Sequence, residues 1–238
     1  MAPVVFPTNG TGEDTVSAKE NRESFCRRLR PILSNRDLMF VEIAYILAKH
    51  GHRAQTRKEI DPATGKPVRY FEHCRRVALT LIDEFKCVDP VMIMAAITHD
   101  CPEDTEIVTS ELIEVALGAE VARIVKMLSK IPKEGYLERL VAYADWRILV
   151  IKACDRLDNL RTLGSGSLEF QKKQIAETEE KYFPVFDLMV KLTPKQHVAG
   201  AKYLRERIRC IVRSYKAAFK AADCPRAAAA RPARRKRP

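Results

Sequence analysis

At 238 residues and 46% hydrophobic content, the chain can bury one substantial core. Seven Cys with no C-x-x-C pair exclude a zinc ribbon or a disulfide framework and point to reduced thiols in a cytoplasmic compartment; the longest apolar run is far short of a membrane span, and Met1 to Pro7 lack the basic residues and long apolar core of a secretory signal. The formal charge is +11, of which five Arg and one Lys lie beyond Pro225, leaving a moderately positive body suited to a small polyanionic substrate.

Residues 1–20, rich in Pro, Gly, Thr and acids, read as a flexible arm. A first helix is expected from Glu20 to about Leu33. Ser34-Asn35 then supply an N-cap for a second, in which Leu38, Val41, Ile43, Ala44 and Leu47 are spaced for a buried face and which Gly51 ends. A loop follows through Lys66. Pro67 opens the next helix, which runs to about Phe85 with Phe71, Cys74, Val77, Ala78 and Leu81 inward. Asp89-Pro90 start a fourth helix, filled by the unbroken apolar run Val91 to Ile97. Thr109 or Ser110 caps a short helix that Gly118 closes, Ala119 to Leu128 forms another, and 129–136 is a loop. One long helix is expected from Leu137 to Leu163, where Gly164-Ser165-Gly166 stop it. Helices near 168–190, bent at Pro184, and 194–222 complete the chain. No alternating strand pattern and no internal repeat is evident. The expected architecture is all-α, a helical bundle over residues 21–222. Residues 223–238 form a basic, low-complexity, disordered tail, either a plain solvated extension or a contact for nucleic acid or an acidic partner.

Chemistry concentrates at the end of the apolar run, in His99-Asp100-Cys101-Pro102-Glu103-Asp104-Thr105. An adjacent His and Asp are costly to bury without partners, and one divalent cation serves both, since imidazole nitrogen and carboxylate oxygen are ligands for such ions. Pro102 removes a backbone donor and disfavours helix at Cys101, so Glu103-Asp104 begin a new turn. They follow closely enough to move protons on a water. His73 and Asp155 each lie inside an amphipathic helical pattern. Together they give a His73, His99, Asp100, Asp155 set with positions left for water and substrate, and N and O donors of this kind favour Mn²⁺, other divalent metals also fitting. Lys152, Arg156 and Arg161 are candidates for phosphates or for structural ion pairs.

Four segments in order, His52-Arg53-Ala54-Gln55-Thr56-Arg57-Lys58, His73, His99 to Thr105, and Asp155-Arg156-Leu157-Asp158-Asn159-Leu160-Arg161-Thr162-Leu163, resemble the HD phosphohydrolase superfamily and, within it, the hydrolase domain of the RelA/SpoT family. The resemblance covers roughly residues 36 to 190. It implies an HD-type helical bundle acting as a small stand-alone alarmone hydrolase that removes pyrophosphate from the 3′ position of (p)ppGpp. It further implies Glu103 and Asp104 as the catalytic acids that orient or deprotonate water, and Arg57 and Lys58 at the nucleoside end. Asn159 and Thr162 would line the ribose and phosphate region, and His52 would serve either as a ligand or as a support behind the ligands. Two departures, the longer turn 59–64 and Asp158 where the family often has His, make an altered nucleotide preference, including adenine alarmones, an expectation. A different HD-type nucleotide phosphohydrolase would need His-Asp but not the extended Asp155 to Thr162 match. A metal-free binding protein would not need to keep the ligands and Glu103-Asp104 together. The oligomeric state is left open.

Overall fold

The computed structural model describes residues 21–222. The arm 1–20 and the basic tail 223–238 lie outside the described residues. The first helix, α1 (Arg22–Leu29), is shorter than expected at both ends. α2 (Asn35–Gly51) starts at Ser34, whose hydroxyl accepts from the Asp37 amide at 3.1 Å.

The segment to Arg69 departs from expectation. It is not a loop but an antiparallel hairpin, β1 (Thr56–Ile60) and β2 (Pro67–Arg69), paired Thr56 to Arg69 and Ile60 to Pro67 with a bulge between. Asp61 closes its tip: its carbonyl accepts from the Gly65 amide at 2.8 Å, its carboxylate accepts from the Ala63 amide at 2.9 Å, and Gly65 takes the left-handed backbone (φ 66°). Pro67 therefore lies in a strand rather than at a helix start, as an edge strand tolerates. α3 (Phe71–Asp83) begins four residues later.

α4 (Pro90–Thr98) starts as expected, with Asp89 accepting from the Val91 amide at 2.9 Å and Pro90 in the first turn. It is apolar all round, and Met92, Ile93, Ala95, Ala96 and Ile97 are fully buried, each large side chain contributing about 1.5–3 kcal/mol. A single turn, α5 (Cys101–Asp104), restarts after Asp100, in line with the reading of Pro102. Thr109 caps α6 (Ser110–Leu117), and Gly118 at φ 96° separates it from α7 (Ala119–Leu128).

The expected single helix 137–163 is two: α8 (Tyr136–Tyr143) and α9 (Trp146–Arg161). Ala144 is extended and Asp145 is an N-cap, its carboxylate accepting from the Arg147 amide at 2.9 Å. α10 (Leu168–Glu177) leads through a π-helical turn, Thr178–Tyr182, into α11 (Phe183–Leu192), and α12 (Val198–Ala222) closes the bundle. Pro184 sits in the first turn of α11, directly after the π-helical turn that divides the expected helix 168–190. α3, α4 and α9 pack on one another at the centre, with α2 laid on α4 and α12 on α9. Among the described residues no helix is long and apolar enough to cross a membrane.

Candidate metal centre and adjoining cavity

The centre forms where three central helices meet. His99 caps the end of α4, Asp100 precedes α5, His73 lies in the first turn of α3, and Asp155 lies in mid-α9. One donor atom each from His73, His99 and Asp155 falls within 4.8 Å of the others. Asp100 Oδ2 is 3.1 Å from His99 Nε2 and 3.5 Å from His73 Nε2. Asp155 Oδ1 is 3.3 Å from His73 Nε2. All four predicted ligands are thus brought together, and all are buried.

Each ligand is held from behind. His99 Nδ1 donates to the Ala96 carbonyl at 2.9 Å, which fixes the tautomer and leaves Nε2 as an acceptor. That Nε2 is buried with no hydrogen-bond partner, an unmet need that a cation fills. Asp155 accepts from Lys152 Nζ at 2.8 Å and from Asn159 Nδ2 at 2.6 Å, while the Tyr70 hydroxyl donates to Asp100 at 2.8 Å. His73 Nδ1 lies 2.7 Å from Asp158, which also accepts from Arg76 Nε at 2.7 Å. Arg76 reaches on to Glu59 of β1 at 3.0 Å.

In the sequence Asp158 stands out only as a departure from the family pattern. Its three-residue offset from Asp155 on a helix, facing His73, places its carboxylate against that ring, where it orients the imidazole.

The electrostatics favour a cation. Burial alone would lower the His73 imidazole, but its hydrogen bonds to Asp100, Asp155 and Asp158 outweigh burial and lift it to about 10. Burial would raise Asp100 and Asp155, yet His99 and Lys152 respectively, with His73, hold them well below the usual carboxylate range. A field that favours a proton between these groups also favours a metal ion. The C-terminal end of α4 adds the negative end of its dipole. The donor set therefore fits a divalent metal.

His52 does not join the ligands. It stacks on Tyr70 at 4.7 Å between ring centroids, its Nδ1 pairs with Gln55 at 2.8 Å, and burial lowers its pKa. It supports Tyr70, and through Tyr70 Asp100. Of the two acids, Glu103 accepts from the Lys130 amide at 3.0 Å. Asp104 is exposed; partial burial and neighbouring Asp100 raise its pKa, against a hydrogen bond from Tyr70.

Beside the cluster lies a cavity of about 280 Å³. Arg57, Lys58, Arg156, Asn159, Thr162 and Phe170 are among its walls, and Tyr70 and Asn159 belong to both cavity and cluster. Arg57 donates to Asn159 Oδ1 at 2.8 Å, so a chain of contacts runs from the cavity through Asn159 to Asp155. Arg156 also packs its guanidinium 3.7 Å from the Tyr182 ring centroid.

Two of the candidate phosphate contacts are not brought there. Lys152 is buried against Asp155 and Tyr136, and Arg161 is paired with both oxygens of Glu84; neither lines the cavity. Of the turn 59–64, only Glu59 reaches the cavity. Phe170, which no sequence motif marks, stands with its ring 4.7 Å from Lys58 Nζ, and a Cβ on Gly166 would come within 2.6 Å of it. The glycine makes room for the ring.

Known proteins resemble this chain in sequence and in fold. The chain is 38% identical over 154 residues to the guanosine-3′,5′-bis(diphosphate) 3′-pyrophosphohydrolase of Aquifex aeolicus, covering 61% of this chain and 21% of that protein. It is 32% identical over 175 residues to the bifunctional (p)ppGpp synthase/hydrolase SpoT of Escherichia coli, covering 68% of this chain and 24% of that protein. The chain thus spans about a fifth to a quarter of these relatives. The solved structure of a metazoan ortholog of SpoT that hydrolyzes ppGpp superposes with a TM-score of 0.55 at 24% identity, over 76% of this chain and 96% of that one, and shares its fold. A family model described as HD domain matches residues 44–186, more than half of the sequence, and the chain belongs to the HD domain family.

Proposed function

We propose that the protein hydrolyses 3′-pyrophosphorylated nucleotides of the (p)ppGpp type, releasing pyrophosphate and GDP or GTP, in a cytoplasmic compartment. One observation carries this reading: a His-His-Asp cluster with an unpartnered, buried His99 Nε2 opens, through Asn159 and Tyr70, onto a cavity walled by cationic side chains. The names of the Aquifex and Escherichia relatives point the same way.

His73, His99, Asp100 and Asp155 would hold the metal, with Mn²⁺ as the expected ion. When bound, such an ion polarises a phosphoryl oxygen and lowers the pKa of water. The chain supplies the rest. Lys152 and Asn159 orient Asp155, Asp158 orients His73, and Tyr70 orients Asp100. Asp104, with its raised pKa, is the proton acceptor for the attacking water, and Glu103, anchored on the Lys130 amide, fixes the turn that carries it. Arg57 and Arg156 neutralise phosphate charge, which is most of what phosphoryl transfer asks of a protein. Thr162 and Asn159 take the ribose side.

Lys58 and Phe170 form the base wall. An ammonium only donates, which suits the O6 and N7 acceptors of guanine and is opposed by the amino group of adenine. Guanine alarmones are therefore the favoured substrates, and discrimination lies with this pair rather than with the tip of the hairpin. Incubation with Mn²⁺ and a panel of 3′-pyrophosphorylated nucleotides, with products separated by chromatography, should give pyrophosphate and a 5′-nucleotide. Release of single phosphates, or no reaction on any member, would sink the proposal. Asp104→Asn should retain metal and lose most turnover, measured by metal content beside kcat.

A further inference from the structure

The net charge of the chain is concentrated at one end. Of 42 Lys and Arg, 13 lie in residues 198–238, facing two acids, Glu206 and Asp223. The first 197 residues carry 29 residues of each sign, so the whole +11 belongs to the last 41. Those 41 residues comprise α12 and the chain beyond it.

On α12 the charges form a line. At about 100° per residue, 18 residues complete five turns, so Lys202 and Lys220 fall on one line, with Arg209, Arg213 and Lys216 within roughly 40° of it. The line is roughly 27 Å long at a helical rise of 1.5 Å per residue. Arg209 is engaged by Asp187 and Glu206, and Lys216 by Glu179. Lys202, Arg213 and Lys220 are exposed and have no acidic partner among the described residues. The opposite face is committed: Leu204, Ile208, Val212, Tyr215 and Phe219 are buried in the core.

We infer that this stripe is a sequence-independent docking surface for the phosphate backbone of a nucleic acid. Glu206, about 40° from the line, is taken up by Arg205 and Arg209, so what the stripe presents to a linear polyanion is the spaced cations Lys202, Arg213 and Lys220, and each phosphate they neutralise releases condensed counterions. A lipid surface fits less well, because helices that lie on membranes present apolar residues beside their basic ones, and the large apolar residues of α12 are turned mainly inward. The surface is separate from the cavity, none of whose walls comes from α12.

The test uses the full chain and two fluorescent probes of equal length, a random-sequence DNA duplex and a single-stranded RNA, read by anisotropy across a salt series. Binding should be micromolar or weaker near physiological salt, about 10⁻⁴–10⁻⁶ M, and log K should fall linearly with log salt. The variant Lys202→Gln/Arg213→Gln/Lys220→Gln keeps good helix formers in place; on the duplex it should flatten the slope by roughly 2 to 3 units, at about 0.9 per phosphate. Arg213→Gln alone should flatten it by about 0.9. Helix content and nucleotide hydrolysis should be unchanged in both. Absence of binding by the parent at low salt, or an unchanged slope in a variant that stays helical, would overturn the inference. So would equal or tighter binding to polyglutamate or to phosphatidylserine vesicles, which would assign the surface to an acidic protein or a membrane.

Discussion

Helix α9 carries two ion networks, each pairing carboxylates with basic side chains, and they differ in almost every consequence. At its start, Asp145, Arg147, Glu120 and Arg123 pair with side chains that are 24% to 44% exposed. Two turns on, Lys152, Asp155, Asp158 and His73 interact with side chains no more than 7% exposed. Water screens the first network, so each pair is worth little. The second has no water to fall back on, so every charge must be met by another group or by a metal. Strict geometry is kept where burial makes it necessary, and that is where the chemistry lies.

The largest effect should come from breaking the buried network. Asp155→Ala removes a metal ligand and strands the Lys152 ammonium in the core, a loss of about 3–5 kcal/mol. Urea denaturation and metal content should both register it. The double variant Lys152→Met/Asp155→Leu should recover most of the stability while the metal stays absent, because a packed apolar pair costs nothing to desolvate. Failure of that recovery would mean that burial is not what separates the two networks.

Next in size is Asp158→Ala, which removes the acceptor at His73 Nδ1 and the partner of Arg76. Metal affinity should fall about 10- to 100-fold with the ligands themselves intact. A metal titration showing parent-like affinity would relegate Asp158 to an ordinary ion pair.

Phe170→Ala probes the cavity rather than the centre. Loss of an aromatic platform costs about 1–3 kcal/mol per base, so KM should rise roughly 5- to 150-fold with kcat nearly unchanged. Equal loss in kcat alone would place the ring in the reaction rather than in base recognition.

The smallest change belongs to the exposed network. Hydrogen bonds from Arg123, then Arg147, against slight burial, draw Glu120 down to about 2. A depressed folded-state pKa means that stabilisation is present above the unfolded value near 4.5 and fades as the pH falls towards 2. With nearly half of the side chain in solvent, the effect is under about 1 kcal/mol. The urea midpoints of parent and Glu120→Gln should differ slightly at neutral pH and converge in acid; a large gap at neutral pH would erase the contrast between the two networks.

The local grammar of the chain was decided by its sequence. Ser34, Asp89 and Thr109 cap their helices because a short oxygen-bearing side chain meets the first free amides wherever it occurs. The apolar run Val91 to Ile97 had to be buried, and His99-Asp100 at its end had to find a partner of opposite charge. The break before α9 was also written there, in Asp145 ahead of Trp146-Arg147-Ile148, but the apolar rhythm on both sides concealed it.

Tertiary structure decided the rest. The hairpin 56–69 alternates exposed with half-buried positions, but in β1 the half-buried ones are Arg57 and Glu59, so no apolar alternation announced it; its place is set by Tyr70 and Arg76 reaching Asp100 and, through Asp158, His73. Whether a cation meets substrate or a carboxylate is likewise not local. Arg57 lines the cavity against the neutral Asn159 and Thr162, Arg156 lines it while also touching Glu177 at 3.4 Å, and Arg161, on the same helix as Arg156, is turned away to Glu84 just past the end of α3. A side chain of four or more rotatable bonds takes the partner that packing presents, and only the assembled bundle fixes which one that is.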